Sequence, residues 1–244
     1  MIEKNKLYNI WVYLQAEPLF WLTLTIGAFL IGDYFYKKSK LNPLVNPVAI
    51  SILIVSGVLI VTDVSYERYF NGAKFIHFML GPATVALAIP ICKQIHLIKK
   101  ESGSIFISLV LGSLFAIFST YFFAKLMNLD LEIIYSMMPR SVTAPIAMGI
   151  SELIGGVPSL TAIITIITGI VGASFGTFAL DVLRVKDMTA RGFAFGLASH
   201  GIGTARAMSK NKTAGVFAAL ALGLSAFTKR VYLISQPLPI LTMV

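Results

Sequence analysis

The chain has 244 residues, of which 57% are hydrophobic and only 13% are charged. A soluble domain carries about twice that charged fraction, so the composition excludes an ordinary soluble protein and predicts a polytopic membrane protein. The net charge of +9 comes from basic residues at the ends of apolar runs, which is typical of cytoplasmic membrane flanks and not of a nucleic-acid-binding face. The single cysteine, Cys92, excludes an internal disulfide and a CxxC metal motif, and we expect no metal and no cofactor.

Apolar runs follow one another along the chain and predict membrane helices, each of which needs about twenty residues to span a bilayer. In chain order they are Leu19–Gly32, Leu44–Thr62, Phe75–Cys92, Ser102–Ala124, Leu153–Leu180, Gly192–Ala205 and Thr213–Thr228. Residues 1–17 carry several charges, so they predict an interfacial N-terminal segment and not a cleavable signal peptide. We therefore expect an all-α membrane helix bundle that forms one transport domain, residues 1–244, with six to eight crossings.

The basic loops orient these helices. Lys37–Lys40, Lys93–Lys100 and Arg184–Arg191 are short and basic, which predicts that they are cytoplasmic. The segment Ile133–Glu152 then begins and ends on the outer side. Because it is also interrupted by prolines, it predicts a re-entrant or broken-helix hairpin.

Glycine and proline predict four helix starts at membrane depth. The helix-breaking residues are Gly81, Pro82, Pro139, Pro145, Gly155, Gly156, Pro158, Gly201 and Gly203. Helix starts expose N–H groups and the positive end of the helix dipole, which attract anions. Residues 82–88 are similar to residues 141–147, which suggests an inverted repeat, although a short alanine-rich match also arises by chance.

Polar side chains at these interruptions suit a small carboxylate. Guanidinium groups match the carboxylate fork, and hydroxyls bind the remaining oxygens. The candidate substrate-binding residues are Thr84, Arg140, Ser141, Thr143, His200, Thr204 and Arg206. Glu152 and His200 are candidates to carry a coupling proton.

Three of these residues also have a structural interpretation. Arg206 suits a cytoplasmic interface, Arg140 suits an ion pair with Glu152, and His200 suits a packed polar position. An intramembrane enzyme with a Ser151–His200 dyad is disfavoured because the sequence has no recognisable oxyanion loop. We expect that the protein is not an enzyme.

Five segments, in this order, resemble the LrgB/CidB family of bacterial membrane proteins. They are Tyr66–Ala73, Leu80–Pro90, Pro139–Ala147, Ser151–Thr161 and Ser199–Ala207. The resemblance implies two functions. One is an antiholin-like regulation of murein hydrolase activity and autolysis with a small LrgA/CidA-type membrane partner. The other is transport, because relatives include the plastid glycolate/glycerate transporter and bacterial systems implicated in pyruvate uptake.

The buried cations and broken helices favour transport over regulation. We expect a multi-pass protein of the cell membrane that carries small monocarboxylates such as glycolate, glycerate or pyruvate, coupled to protons. The expected partners are this organic anion, the lipid bilayer, further copies of the chain and the small LrgA/CidA-type protein, without nucleic acid. The antiholin-like role remains the alternative.

Overall fold

The computed structural model describes residues 16–42 and 44–235, together with Leu14, and the regular structure in these residues is helical. The all-α prediction is therefore confirmed. Five of the described helical stretches are long and apolar enough to cross a membrane: Pro18–Lys38, Tyr66–Lys93, Ser102–Leu126, Pro158–Val182 and Lys212–Ile234. They make the chain a multi-pass membrane protein. Most of the predicted interfacial segment, residues 1–17, lies outside the described residues.

The chain forms two compact units, residues 1–86 and residues 87–244, and each is described by itself. The N-terminal unit contains α1 (Pro18–Lys38), α2 (Pro47–Thr62) and α3 (Tyr66–Ala86). The C-terminal unit contains the remaining described helices. They are α4 (Ala88–Lys93), α5 (Ile95–Lys100), α6 (Ser102–Leu126), α7 (Leu131–Met137), α8 (Ala144–Ile154), α9 (Pro158–Val182), α10 (Met188–Lys210) and α11 (Lys212–Ser235).

Trp21 is the centre of the N-terminal unit. Its side chain is buried, and its ring packs edge-on against Tyr69 of α3 at 5.9 Å between centroids. Gly72 allows this contact, because a Cβ there would lie 2.7 Å from Trp21 Cδ1. α2 begins at Pro47 because the Asn46 side chain accepts hydrogen bonds from the first N–H groups of the helix. Small and capping residues thus set the packing of this unit.

Two predictions for the N-terminal unit, one helix start and the length of one span, differ from the structure. Gly81 and Pro82 lie inside α3, which continues to Ala86, so no helix begins at that position. Proline inside a membrane helix is tolerated where the neighbouring backbone groups find other partners. α2 has only 16 residues and a length of about 24 Å, so it is shorter than the predicted span Leu44–Thr62. The side chain of Thr84 is outside the described part of the structure.

In the C-terminal unit, α10 and α11 form a close helical pair. A Cβ at Gly192 or Gly196 would collide with backbone carbonyls of Ala214 or Ala218. Small residues therefore let the two helices approach backbone to backbone where lipid provides no hydrophobic drive. The Asp187 side chain caps α10, and its hydrogen bonds from Thr189 and from the backbone N–H of Ala190 lower the pKa of this exposed carboxyl.

The predicted hairpin Ile133–Glu152 is divided into two short helices, α7 and α8, joined by residues 138–143. Neither helix is long enough to cross a bilayer, since seven and eleven residues reach only about 10 and 16 Å. Buried side chains of the hairpin pack against α6 and α11 in one apolar cluster: Ile117, Ala124, Ile134, Met138, Val142, Ala147, Ile150, Ile154 and Leu233. The interruption is therefore enclosed by protein.

Candidate anion-binding site

The hairpin tip, residues 138–143, holds polar groups in a protected position. It forms a turn in which the N–H of Arg140 donates to Met137 O and the N–H of Val142 donates to Pro139 O. Met138, Pro139 and Val142 are buried and fix the turn, while Ser141 is 5% exposed. α8 begins after the turn with Pro145 in its first helical turn. The apolar residues of the tip thereby hold Arg140 and Ser141 against the neighbouring helices.

Arg140 reaches α6. Its Nη1 donates to Thr120 Oγ1, and Thr120 in turn donates to Ala116 O at 2.6 Å. Thr120 is buried, whereas Arg140 keeps partial exposure. The guanidinium therefore has one neutral anchor and further donors available for a ligand.

Lys229 of α11 also contacts the tip. Its side chain has no exposed surface, and Nζ donates to Ser141 Oγ and, at 3.5 Å, to Leu197 O of α10. In the described part of the chain neither Lys229 nor Arg140 forms an ion pair with an acidic side chain. We call Thr120, Arg140, Ser141 and Lys229 the cationic cluster. It contains two basic groups and only neutral partners, which is unusual for buried charges.

A break in α10 borders this cluster. The backbone leaves the helical region at Ser199 and His200, and His200 has a φ of 41° and a ψ of −134°. Such a conformation is costly for a residue other than glycine and is found mostly at functional sites. The His200 ring packs on Gly169 of α9, where Nε2 donates to Thr165 O at 2.9 Å, and His200 interacts electrostatically with Lys229.

The hairpin base is built differently. Thr161 of α9 donates to Ser151 Oγ at 2.7 Å and lies 2.9 Å from Ser136 O, while the N–H of Val157 donates to Ser136 Oγ at 2.7 Å. All three side chains are 0% exposed. We call Ser136, Ser151 and Thr161 the hydroxyl cluster. It is neutral and satisfied internally, so it closes the hairpin without offering a ligand site.

Comparison with known proteins identifies the family to which this chain belongs. The profile of the LrgB-like family matches residues 25–236. The chain belongs to the LrgB-like family. Protein YwbG of Bacillus subtilis is 35% identical over 205 residues, which are 84% of this chain and 91% of the relative. The antiholin-like protein LrgB of Bacillus mycoides is 34% identical over 84% of this chain and 89% of its own length. No solved structure matches the chain.

Within this LrgB-like chain, only some of the predicted site residues come together. Arg140 and Ser141 share the cationic cluster, and His200 borders it. Thr143 is the N-cap residue of α8 and lies at the end of the tip. Gly81 and Pro82 belong to the N-terminal unit.

The remaining predicted residues lie elsewhere in the C-terminal unit. Thr204 is buried and donates to His200 O at 2.8 Å, which secures the helix after its break. Glu152 is exposed near the C-terminal end of α8 and does not pair with Arg140, so the structure does not show the ion pair that the sequence left open. Arg206 is buried and lines a separate cavity of about 400 Å³ with Asp181, Arg191 and Lys210.

The positions of two residues along α11 show how far Arg206 lies from the cationic cluster. Ala214 also lines the cavity of Arg206, and Lys229 lies fifteen residues further along the same helix, about 22 Å away. The structure therefore divides the two predicted arginines between two places.

The helix starts predicted in the C-terminal unit lie close to observed ones. α9 begins at Pro158, after Gly155 ends α8 with a φ of 87° and Gly156 packs against Ser151. The break in α10 occurs directly before Gly201, and a Cβ at Gly203 would lie 2.6 Å from Phe195 O. The helix predicted after Pro139 begins later, at Ala144, because residues 138–143 form the tip instead.

Sequence reasoning missed Lys229. The apolar run Thr213–Thr228 ends just before it, and a basic residue in that position is typical of a membrane flank. Two signals point to the interior. A run of 16 residues is too short for a span, so the helix needs further residues at membrane depth. Lys229 also continues a buried face at helical spacing: Ala218, Leu222, Ser225, Lys229 and Leu233.

Proposed function

We propose that this protein is a secondary transporter of small monocarboxylates such as glycolate, glycerate or pyruvate. The observation that supports this function is the cationic cluster, in which buried Lys229 and partly exposed Arg140 have only neutral partners among the described residues. A transporter needs a binding group that is protected from lipid and that lacks a permanent internal counter-ion. The cluster has both properties.

The geometry of the cluster suits a carboxylate. Arg140 offers a planar fork of donors that matches the two oxygens of the anion, and Lys229 adds a second charged donor. Ser141, whose hydroxyl now accepts from Lys229, is available for a 2-oxo or 2-hydroxy oxygen next to the carboxylate. The protein would thus distinguish such acids from a plain fatty acid by their second oxygen.

Electrostatics give the reason for binding. Burying a charge away from water costs several kcal/mol unless a partner of opposite charge is present. Because the described residues provide no such partner, an anionic substrate would relieve this cost. Burial of these charges raises the free energy of the empty cluster, and binding an anion lowers it again.

The interrupted helices supply the places where the fold can move. The tip connects two short helices, and α10 is broken at Ser199 and His200 beside Lys229. Transporters commonly bind their substrates where helices are discontinuous and expose the site alternately to the two sides by moving such elements. We propose that the hairpin tip and the α10 break are the elements that change.

The test is substrate flux in liposomes that contain the purified protein. Labelled glycolate and pyruvate are offered under proton and sodium gradients, with protein orientation controlled. We expect accumulation by the wild type and a loss of about 100-fold in Arg140→Gln, because a charged hydrogen-bonding partner of the anion contributes up to about 3 kcal/mol. Arg230→Gln is the matched control, since Arg230 is an exposed arginine next to Lys229.

Two results would contradict the proposal. One is the absence of flux for both acids in the wild type. The other is full flux in Arg140→Gln, which would remove the cationic cluster from the transport path.

The antiholin-like role is the second candidate function. It rests on the relatives from Bacillus mycoides and Bacillus cereus, which carry that name and are 33–34% identical to this chain. A small LrgA/CidA-type membrane protein would be the partner. Expressing wild type and Arg140→Gln with that partner, and measuring autolysis, separates the functions. Equal effects of the two forms on autolysis would favour a regulatory role that does not require transport.

We further propose that the protein is not an enzyme and that it resides in the cell membrane, because the relatives that it resembles are bacterial. Self-association in detergent, measured by light scattering, tests whether several copies assemble.

A further inference from the structure

We propose that Lys229 carries the proton that accompanies the substrate, as a neutral amine in the empty site and as an ammonium when the carboxylate is bound. This inference rests on the proposed transport function and deepens it. The sequence pattern predicts Glu152 or His200 for this role, whereas the geometry favours a third residue.

The position of Lys229 supports this assignment. Its side chain is completely buried, and its nitrogen contacts Ser141 Oγ and Leu197 O, both of which are neutral acceptors. A neutral amine is satisfied by such partners, since it can donate to one and accept from the Ser141 hydroxyl. An ammonium in the same place would lack a counter-ion until an anion arrives.

The charged and titratable groups around Lys229 disfavour a second positive charge in the empty site. Arg140 faces it from the hairpin tip and His200 faces it from α10, and both interact with it electrostatically. From α6, the Thr120 hydroxyl belongs to the cationic cluster. The Tyr121 ring of α6 and apolar side chains of α8 belong to the adjoining apolar cluster. Because arginine stays protonated, two fixed positive charges would stand together without an anion if Lys229 were also always charged.

The two earlier candidates are less suited to the task. Glu152 is exposed and is not part of the cationic cluster. His200 is held by its Nε2 hydrogen bond to Thr165 O and by close packing on Gly169. His200 thus stabilises the break in α10 and places its ring beside Lys229.

The charge balance of the cycle is simple. On the entry side a carboxylate binds Arg140 and Lys229, and a proton from water forms the third N–H bond on Nζ. On the exit side the carboxylate leaves, the N–H bond breaks, and the proton returns to water. One anion and one proton move together, so the net charge of the cluster is the same when empty and when loaded. The transport cycle is then electroneutral.

The first experiment compares Lys229→Arg with wild type in liposomes loaded with pyruvate. Arginine keeps its charge throughout, so we expect measurable exchange of labelled pyruvate across the membrane but no accumulation driven by protons. In the wild type, an inward gradient of one pH unit should give up to about tenfold accumulation. Lys212→Arg, at an exposed position of the same helix, is the control and should accumulate pyruvate as the wild type does.

The second experiment counts protons and does not need an active Lys229 variant. Calorimetric titration of the full-length wild type with pyruvate, in buffers of different ionisation enthalpy, should show one proton taken up per anion. His200→Gln should retain this proton number even if pyruvate binds more weakly.

The outcomes distinguish this inference from the proposed function. Proton-driven accumulation by Lys229→Arg, or a proton number that falls to zero in His200→Gln, overturns the role of Lys229 while transport stands. A wild type that neither exchanges nor binds any of the tested monocarboxylates overturns the proposed function, and this inference with it.

Discussion

The two ends of the α7–α8 hairpin are both buried and both polar, but they are built on opposite principles. At the base, the hydroxyl cluster is neutral and its donors and acceptors satisfy one another. At the tip, the cationic cluster has two basic side chains and no acidic partner among the described residues. A satisfied polar network adds stability, whereas uncompensated charge reduces stability and creates an affinity for a ligand.

The difference between the two ends predicts that a tip residue can be removed with a gain in stability. Lys229→Met replaces a buried basic group, which has no acidic partner among the described residues, by an apolar side chain of similar length. We expect the free energy of unfolding to rise by about 1–4 kcal/mol, while pyruvate uptake is lost. Thermal unfolding in detergent and flux in liposomes measure the two effects. Lys212→Met, at an exposed position, is the control and should change stability by less than about 0.5 kcal/mol. A clear loss of stability in Lys229→Met would mean that the lysine serves the fold.

A change at the base should have the reverse effect. Thr161→Val removes the hydroxyl that contacts Ser136 O and Ser151 Oγ and leaves those acceptors buried without this donor. We expect a loss of about 1–3 kcal/mol in the free energy of unfolding, with unchanged uptake per folded molecule. Thr62→Val is the control, because the hydroxyl of Thr62 donates within its own helix, to Val58 O. A specific loss of substrate affinity in Thr161→Val would show that the base also takes part in binding.

The smallest effect is expected at the edge of the tip. Thr120→Val removes the neutral anchor of Arg140 without removing the guanidinium. We expect the KM for pyruvate to rise about fivefold, because one net hydrogen bond that positions the side chain contributes about 1 kcal/mol. Initial rates of uptake over a range of concentrations measure this. An unchanged KM would indicate that Arg140 is positioned by the turn alone.

Sequence patterns predicted some of these features for clear physical reasons. Proline and arginine are costly at membrane depth, so the sequence predicts a polar interruption at Pro139, Arg140 and Ser141. The structure places these residues at the hairpin tip. Gly155 and Pro158 marked a real helix boundary because one ends a helix with positive φ and the other suits a first turn. Gly81 and Pro82 carried the same local signal but lie inside α3, because proline alone does not decide whether neighbouring segments stabilise a continuous helix.

The membrane class, the helical fold and the polar interruption at Arg140 follow from composition and local backbone preferences, so they can be predicted from the amino-acid sequence. The contact between Lys229 of α11 and Ser141, eighty-eight residues away along the chain, and the position of Arg206 in a different cavity become visible only in the folded protein. Contacts of that kind depend on how helices pack in three dimensions. A lysine beyond the end of an apolar run looks like a membrane flank until the neighbouring helices show that it is buried.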